Sequence, residues 1–497
     1  MDRNRLAANC QTMKIPKEIQ LVIKELQSNG FVAYGVGGCV RDLLLNEEPK
    51  DWDITTSAAP DKIQKIFPDS FYENRFFTVG VRTKSKNPAL KIIEVTTFRS
   101  EAKYTDKRHP NAVKPAKTLR EDLARRDFTV NAMALEMQNA KCKIIDPFDG
   151  QKDLKGKLIR AVGNPEERFS EDALRMMRAV RLAVQLDFEI EQKTGEAVKQ
   201  KAGLLQMIAK ERLADELRKI IMAAKADYGI ELLREYGLLM HIMPELEEGW
   251  GVGQNKHHKY TVWEHNLRSL RYAAGKGYGF EVRMAALLHD IGKPRAKRGE
   301  GPDCTFYGHE VISAKMAMAA LERLRLAKDE IEKIALLVRA HMFNYDPEVV
   351  TDASVRRLVA KVGVENMREL VQLREADRIG SGVPKAIPYR LRHFMFRVEK
   401  VLAKPISRGI MKLNGNEVMS LLSIAAGPKV GAILDLLFED ILDNPMNNKK
   451  EYLERRVKAL NELSDQELAE LRKKAQATYE GLLKSEEETL KKKYWVK

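Results

Sequence analysis

The sequence predicts an α+β protein, with a small mixed-sheet head at the N-terminal end and a helical body behind it. Three observations predict it. The 497 residues exceed what one hydrophobic core organises, so roughly two to four domains are expected. Short apolar strand candidates bounded by turn residues crowd before about residue 150. Long amphipathic segments rich in Leu, Ala, Arg and Glu fill almost everything after it.

Taken in order, a helix is expected over about 17–28, followed by a strand in "FVAYGVGG" (31–38). Further strands are expected in "DWDITTS" (51–57), "FFTVGVRTK" (76–84), "LKIIEVTTF" (90–98) and "CKIIDPF" (142–148). Gly, Pro and polar residues gather at 248–260 and 381–389, which marks boundaries there. The chain therefore divides into a head (1–150), an all-α neck (151–247), a helical domain (248–385) and a helical tail (386–497).

Composition excludes several classes. With 44% hydrophobic and 32% charged residues, the chain reads as a folded soluble protein. It has no apolar leader core and no run of 18 apolar residues, so neither a signal peptide nor a membrane span is expected. Cys10, Cys39, Cys142 and Cys304 are far apart and form no CxxC pair. They indicate neither a disulfide framework nor a thiolate zinc site, and a reducing cytoplasm is the expected location. A formal charge of +15 favours a polyanionic partner such as nucleic acid through counterion release. The C-terminal stretch from residue 450 alternates charge signs at helical spacing and reads as a solvated helical face.

The stretch "GGCVRDLLLNEEPKDWDITTS" (37–57) carries the first chemistry. Asp51 and Asp53 on a strand would project to one face while Trp52 and Ile54 pack behind. Two convergent carboxylates repel unless a cation lies between them, and Mg²⁺ takes such oxygen ligands. Gly37 and Gly38 follow a strand and precede a helix beginning near Cys39, where bare backbone N–H groups can hold a triphosphate. Arg41 falls in that helix's first turn.

This ordered combination resembles the signature of class II tRNA nucleotidyltransferases and the related bacterial poly(A) polymerases, which have a polymerase-β-like nucleotidyltransferase head. The block "RRDFTVNA" (125–132) resembles the family's second motif, which implies that Arg126, Asp127 and Asn131 help hold the nucleotide's ribose and phosphates. "DPFDG" (146–150) resembles the third, a turn joining head to neck. Residues 98–123 are similar to the loop that lets the site change from adding C to adding A. Glu94 is a candidate third carboxylate, with a structural acid at a strand edge as the competing reading.

"SEDALRMMRAVRLA" (170–183) resembles the block that recognises the base. On a helix Glu171 and Arg175 are i,i+4 neighbours, so the Glu can orient the guanidinium. Asp172 beside Arg175 then offers an acceptor and a forked donor, a pattern that suits C and A but not G or U. The resemblance adds Arg178 to the nucleotide-binding set. "ERLADE" (211–216) resembles the fifth motif, in which Arg212 and Glu216 brace the templating helices.

A second constellation comprises His265, His289, Asp290, His309, His341 and Asp377. The adjacent His289 and Asp290, with His265 before and Asp377 after, resemble an HD phosphohydrolase domain. This implies that His265, His289, Asp290 and Asp377 hold a divalent transition metal. Residues 412–442 resemble the family's tRNA-docking tail.

The expected activity is template-independent addition of CCA to tRNA 3′ ends from CTP and ATP, with Mg²⁺ as cofactor and release of pyrophosphate. A CC-adding or A-adding specialist and a poly(A) polymerase share these motifs. A metal-dependent phosphohydrolase with an RNA-binding head, or a non-catalytic RNA-binding protein, are readings of another class. The oligomeric state is left open.

Overall fold

Apolar residues Ile19, Val22, Ile23 and Leu26 recur at helical spacing, and they form the buried stripe of the first helix, Lys17–Ser28. The computed structural model describes residues 13–73, 77–101, 113–138, 141–255, 259–402 and 411–496. Cys10, residues 102–112 of the loop expected within 98–123, and residues 256–258 of the 248–260 boundary lie outside the described residues.

The head strands are β1 (Ala33–Val36), β2 (Asp53–Thr56), β3 (Ser70–Glu73), β4 (Thr78–Arg82), β5 (Ile92–Thr97), β6 (Arg99–Glu101), β7 (Val113–Pro115), β8 (Ala134–Gln138) and β9 (Lys141–Ile145). Seven of them form one mixed sheet in the order β3-β4-β5-β2-β1-β8-β9. The β2–β5 pair is parallel, whereas the other pairings in this sheet are antiparallel. Strands β6 and β7 form a separate antiparallel ribbon. Val36, Ile54, Val79, Ile93 and Val95 are fully or almost fully buried and centre the head's core.

Two sheet strands, β3 and β8, are absent from the sequence reading. The β8 segment "ALEMQ" consists of good helix formers, and pairing with β1 on one side and β9 on the other overrides that local preference. The neck also departs from an all-α description. Leu158–Ile159 pairs in parallel with Glu189–Ile190, between helices that include Pro165–Glu171, Leu174–Leu186 and Lys210–Ile221.

The chain forms two compact units. The first holds the head, the neck and the helices Val262–Gly275, Phe280–Leu288, His309–Arg323 and Lys328–Ala340, together with residues 372–384. The second comprises 342–371 and the chain from Lys385 onward. Its core gathers Leu413, Val418, Ile433, Leu437, Leu453, Val457 and Leu460. The long helix Asp465–Tyr494 lies mostly exposed on that core, buries Leu468 and Ala475, and is tied down by Arg472 to Asp435 at 2.8 Å. Cys39 and Cys304 are buried free thiols. Among the described residues no helix is long and apolar enough to cross a membrane.

Candidate active site and metal centre

The turn after β1 is built by Gly37, whose φ of +82° is open to glycine at little cost. A Cβ there would lie 2.8 Å from Arg126 Nη1 and 3.5 Å from Asp53 Oδ2. The two glycines therefore differ in role, because a Cβ on Gly38 would meet only the Arg41 guanidinium at an ordinary 3.5 Å.

The two carboxylates do not share a strand. Asp53 opens β2, opposite Val36 of β1 and Glu94 of β5, whereas Asp51 sits exposed in the bend before it. Trp52 and Ile54 pack behind at 5% and 0% exposure, as alternation demands. Burial pushes the Asp53 carboxyl above its ordinary value; Arg126 and Arg99 oppose this and the Asp51 charge adds to it. A buried carboxylate raised partly by a second carboxylate fits a divalent cation, since added positive charge relieves both effects. The Asp53–Glu94 register places a third carboxylate on the same side of the sheet.

Arg41, Asn131, Asp127 and Arg178 form one polar chain. Arg41 Nη1 donates to Asn131 Oδ1 at 2.7 Å, while its Nε and Nη2 donate to Asp42 Oδ1. Asn131 Nδ2 and the Phe128 amide donate to Asp127 Oδ1, and Arg178 Nη2 lies 2.6 Å from Asp127 Oδ2. Burial works against ionisation of Asp127, but Arg178, Arg175 and these hydrogen bonds outweigh it and hold its carboxyl down at about 2.

Glu171 and Arg175 do not lie on one unbroken helix. Pro165–Glu171 ends at Asp172, which is extended, and Leu174–Leu186 starts afresh. The expected pair still forms, with Arg175 Nη1 donating to Glu171 Oε2 at 2.8 Å. Asp172 Oδ1 accepts from the Leu174 amide at 3.0 Å, and its Oδ2 accepts from Arg212 Nη2 at 3.0 Å. Arg175 also donates to the carbonyls of Arg168 and Arg125. Its side chain is 9% exposed against 39% for Arg178, so Arg178 is the more open guanidinium of the block. Glu216 is buried and accepts from Lys219 Nζ, with Arg181 Nε 2.6 Å from its other oxygen.

The second constellation comes together around Asp290. His265 Nε2 lies 3.1 Å and His289 Nε2 3.4 Å from Asp290 Oδ2, while His309 Nε2 lies 3.2 Å and His341 Nε2 3.7 Å from Asp290 Oδ1. Asp377 Oδ1 is 3.4 Å from His265 Nε2, and Arg374 donates to its other oxygen at 2.7 Å. Nδ1 of His289, His309 and His341 faces the carbonyl oxygen of Ala286, Phe306 and Val338 respectively. A carbonyl oxygen only accepts, so Nδ1 donates in each ring, and Nε2 is the nitrogen turned toward Asp290, where it donates when the ring is protonated and can ligate a metal when it is not.

Two donor groups, His265/His289/Asp290 and Asp290/His309/His341, are compact enough to hold a metal, with Asp290 common to both. This mixed nitrogen and oxygen set suits a transition metal. Burial disfavours charge on His265 and His309, but hydrogen bonds to Asp290, joined by Asp377 for His265, outweigh it and raise both. Burial and the neighbouring His289 push His341 down to about 3. His309 and His341 were outside the four-residue ligand set expected from sequence, although both stand in the motif run. Lys293, three residues after Asp290 and 2.6 Å from its Oδ2, was missed. Asp122 was missed as well, and its i,i+3 and i,i+4 spacing to Arg125 and Arg126 was the available signal.

Family models described as "Poly A polymerase head domain", "Probable RNA and SrmB- binding site of polymerase A" and "HD domain" match residues 33–160, 187–249 and 262–380. The chain is similar to the CCA-adding enzyme of Geobacillus sp. (strain WCH70), 32% identical over 441 residues, which cover 88% of this chain and 96% of that protein. It is also similar to the A-adding tRNA nucleotidyltransferase of Deinococcus radiodurans, 37% identical over 335 residues, 65% of this chain and 75% of that one. Among solved structures, the Bacillus stearothermophilus CCA-adding enzyme in complex with CTP matches with a TM-score of 0.58 at 29% identity, covering 90% of this chain and 98% of that one.

Proposed function

The chain belongs to the CCA-adding enzyme family of tRNA nucleotidyltransferases, and from that premise we propose the following division of labour among its residues. The protein adds C, C and A to tRNA 3′ ends without a nucleic-acid template. The tRNA 3′-hydroxyl oxygen loses its proton to solvent and forms a bond to the α-phosphorus of CTP or ATP, the bond from that phosphorus to the α–β bridging oxygen breaks, and pyrophosphate leaves. Asp51 and Asp53, with Glu94 beside them, hold Mg²⁺, which when bound stabilises charge developing on the transferred phosphoryl group. Gly37 and Gly38 let the backbone approach the triphosphate, and Arg41 and Arg126 face it. Asn131 and Asp127 fix Arg41 and Arg178 at the ribose side.

Asp172 accepts from the exocyclic amino group of C or A, and Arg175 and Arg178 supply donors for the ring acceptors. Arg212 orients Asp172, Glu171 orients Arg175, and Glu216 steadies the helix that carries Arg212. A cytoplasmic location belongs to this reading through its tRNA substrate. The observation that carries it is Asp53 at the start of β2, converging with Arg126 on the Gly37 turn, in a chain alignable with a CCA-adding enzyme along nearly that enzyme's whole length. The test is extension of tRNAs ending before CCA, after C and after CC, with CTP, ATP or both. Completion of all three to a discrete CCA end is expected; extension only from CC would make it an A-adding specialist, and a long A ladder a poly(A) polymerase.

A second reading concerns the Asp290 cluster alone. Its donor set supports a metal-dependent phosphohydrolase working beside the transferase, in which a metal supplies an activated water. Phosphate release from 2′,3′-cyclic or terminal phosphates with Mn²⁺, Co²⁺ or Ni²⁺ added tests it, and no release with any of these metals would remove it.

A further inference from the structure

Asp122 lies in the helix Leu119–Ala124 and is 0% exposed, so it cannot touch a substrate. A buried carboxylate is costly unless donors surround it. Here the donors come from three places around the site. Thr55 Oγ1 of β2 donates to its Oδ2 at 3.3 Å, two residues along from Asp53. The Arg99 amide, the first of β6, donates to its Oδ1 at 3.3 Å. Arg125 Nε donates to Oδ1 at 3.1 Å, and Arg126 Nη2 forms an ion pair with Oδ2 at 3.7 Å. Arg126 in turn puts Nη1 against Gly37 and its charge on Asp53, while the Arg125 carbonyl accepts from Arg175.

We infer that Asp122 is a positioning residue for nucleotide addition: a buried carboxylate that fixes Arg126 beside Asp53 and ties the root of the β6–β7 ribbon to the strand carrying that aspartate. An apolar residue would fill the same space, but it would remove the carboxylate that both Arg125 and Arg126 contact. The carboxylate sets where Arg126 stands when a triphosphate enters, and it does so from beneath the site.

The inference rests on the chain being a nucleotidyltransferase. Asp122→Asn keeps the volume and one acceptor oxygen while turning an amide N–H₂ toward the arginines. With full-length protein and tRNA ending in CC, the KM for ATP should rise about tenfold or more, the order of effect expected when a charged group loses a buried carboxylate partner. With tRNA ending before CCA, the KM for CTP should rise equally, while the KM for tRNA stays within about twofold. In an Arg126→Gln background the same change should add less than about twofold, because its lever is already gone. A nucleotide KM within twofold of wild type, or an undiminished effect in the Arg126→Gln background, overturns the inference. If Asp122→Asn does not fold by circular dichroism, Thr55→Val removes one donor to Asp122 and should raise both nucleotide KM values about threefold; no change overturns it. A wild-type protein that adds nothing overturns the transferase reading and this inference with it, whereas wild-type addition with an indifferent Asp122 variant overturns this inference alone.

Discussion

Asp127 shows how a single residue joins two parts of the site. Its folded carboxyl titrates near 2 against 3.8 in the unfolded chain. A depressed value means stability that is fully present above the unfolded value and lost as the pH falls through the folded one. Asp127→Asn should therefore cost about 2 kcal/mol at pH 7. The gap from wild type should close between about pH 4 and 2, as read by urea unfolding across that range. Gly37 makes the converse demand on the backbone. Its φ of +82° strains any residue that carries a Cβ, and a methyl group there, 2.8 Å from Arg126 Nη1, would push that guanidinium aside. Gly37→Ala should lower kcat/KM for both nucleotides by at least about tenfold, since a one-ångström displacement at a reacting centre costs that much or more. A melting curve alongside would show that the head still folds.

At the scale of elements, the break between Pro165–Glu171 and Leu174–Leu186 turns Asp172 into both a cap and a ligand for Arg212. Asp172→Ala removes the acceptor for the Leu174 amide and should destabilise the protein by about 1 kcal/mol, as loss of a helix cap does. It should also raise misincorporation of UTP and GTP relative to CTP and ATP, measured by primer extension with single nucleotides. The Glu171–Arg175 pair was legible from i,i+4 spacing and survives the break, because both residues still face one another across it. The break itself was not legible, since Ser, Glu, Asp and Ala are compatible with an uninterrupted helix. Strand β8 was hidden for the same kind of reason: its residues favour helix locally, and only the neighbouring β1 and β9 make it a strand.

Across the first compact unit, two acidic constellations present different donors. The head offers oxygen ligands from Asp51 and Asp53 beside arginines. The Asp290 cluster offers imidazole nitrogens around one buried carboxylate. Asp290→Asn should abolish tight binding of Mn²⁺ or Co²⁺ by calorimetry while leaving CCA addition within about twofold of wild type. Asp53→Asn should remove addition and leave transition-metal binding intact. Coupled loss of both in either variant would join the two centres into one.

The sequence by itself determined a mixed-sheet head ahead of a helical body, the glycine turn after β1 and the run of histidines that meets at Asp290, because each is a local pattern with its own spacing. Tertiary structure alone decided which partners those residues take. It placed Glu94 opposite Asp53, joined Asn131 to Arg41, sent Asp172 to Arg212, gathered His309 and His341 onto Asp290, and set Asp122 beneath the arginines. Periodicity fixes which face a side chain occupies. It carries no record of what a strand 41 positions away or a helix 40 residues on brings to that face, and the burial of charge that follows depends on those distant partners.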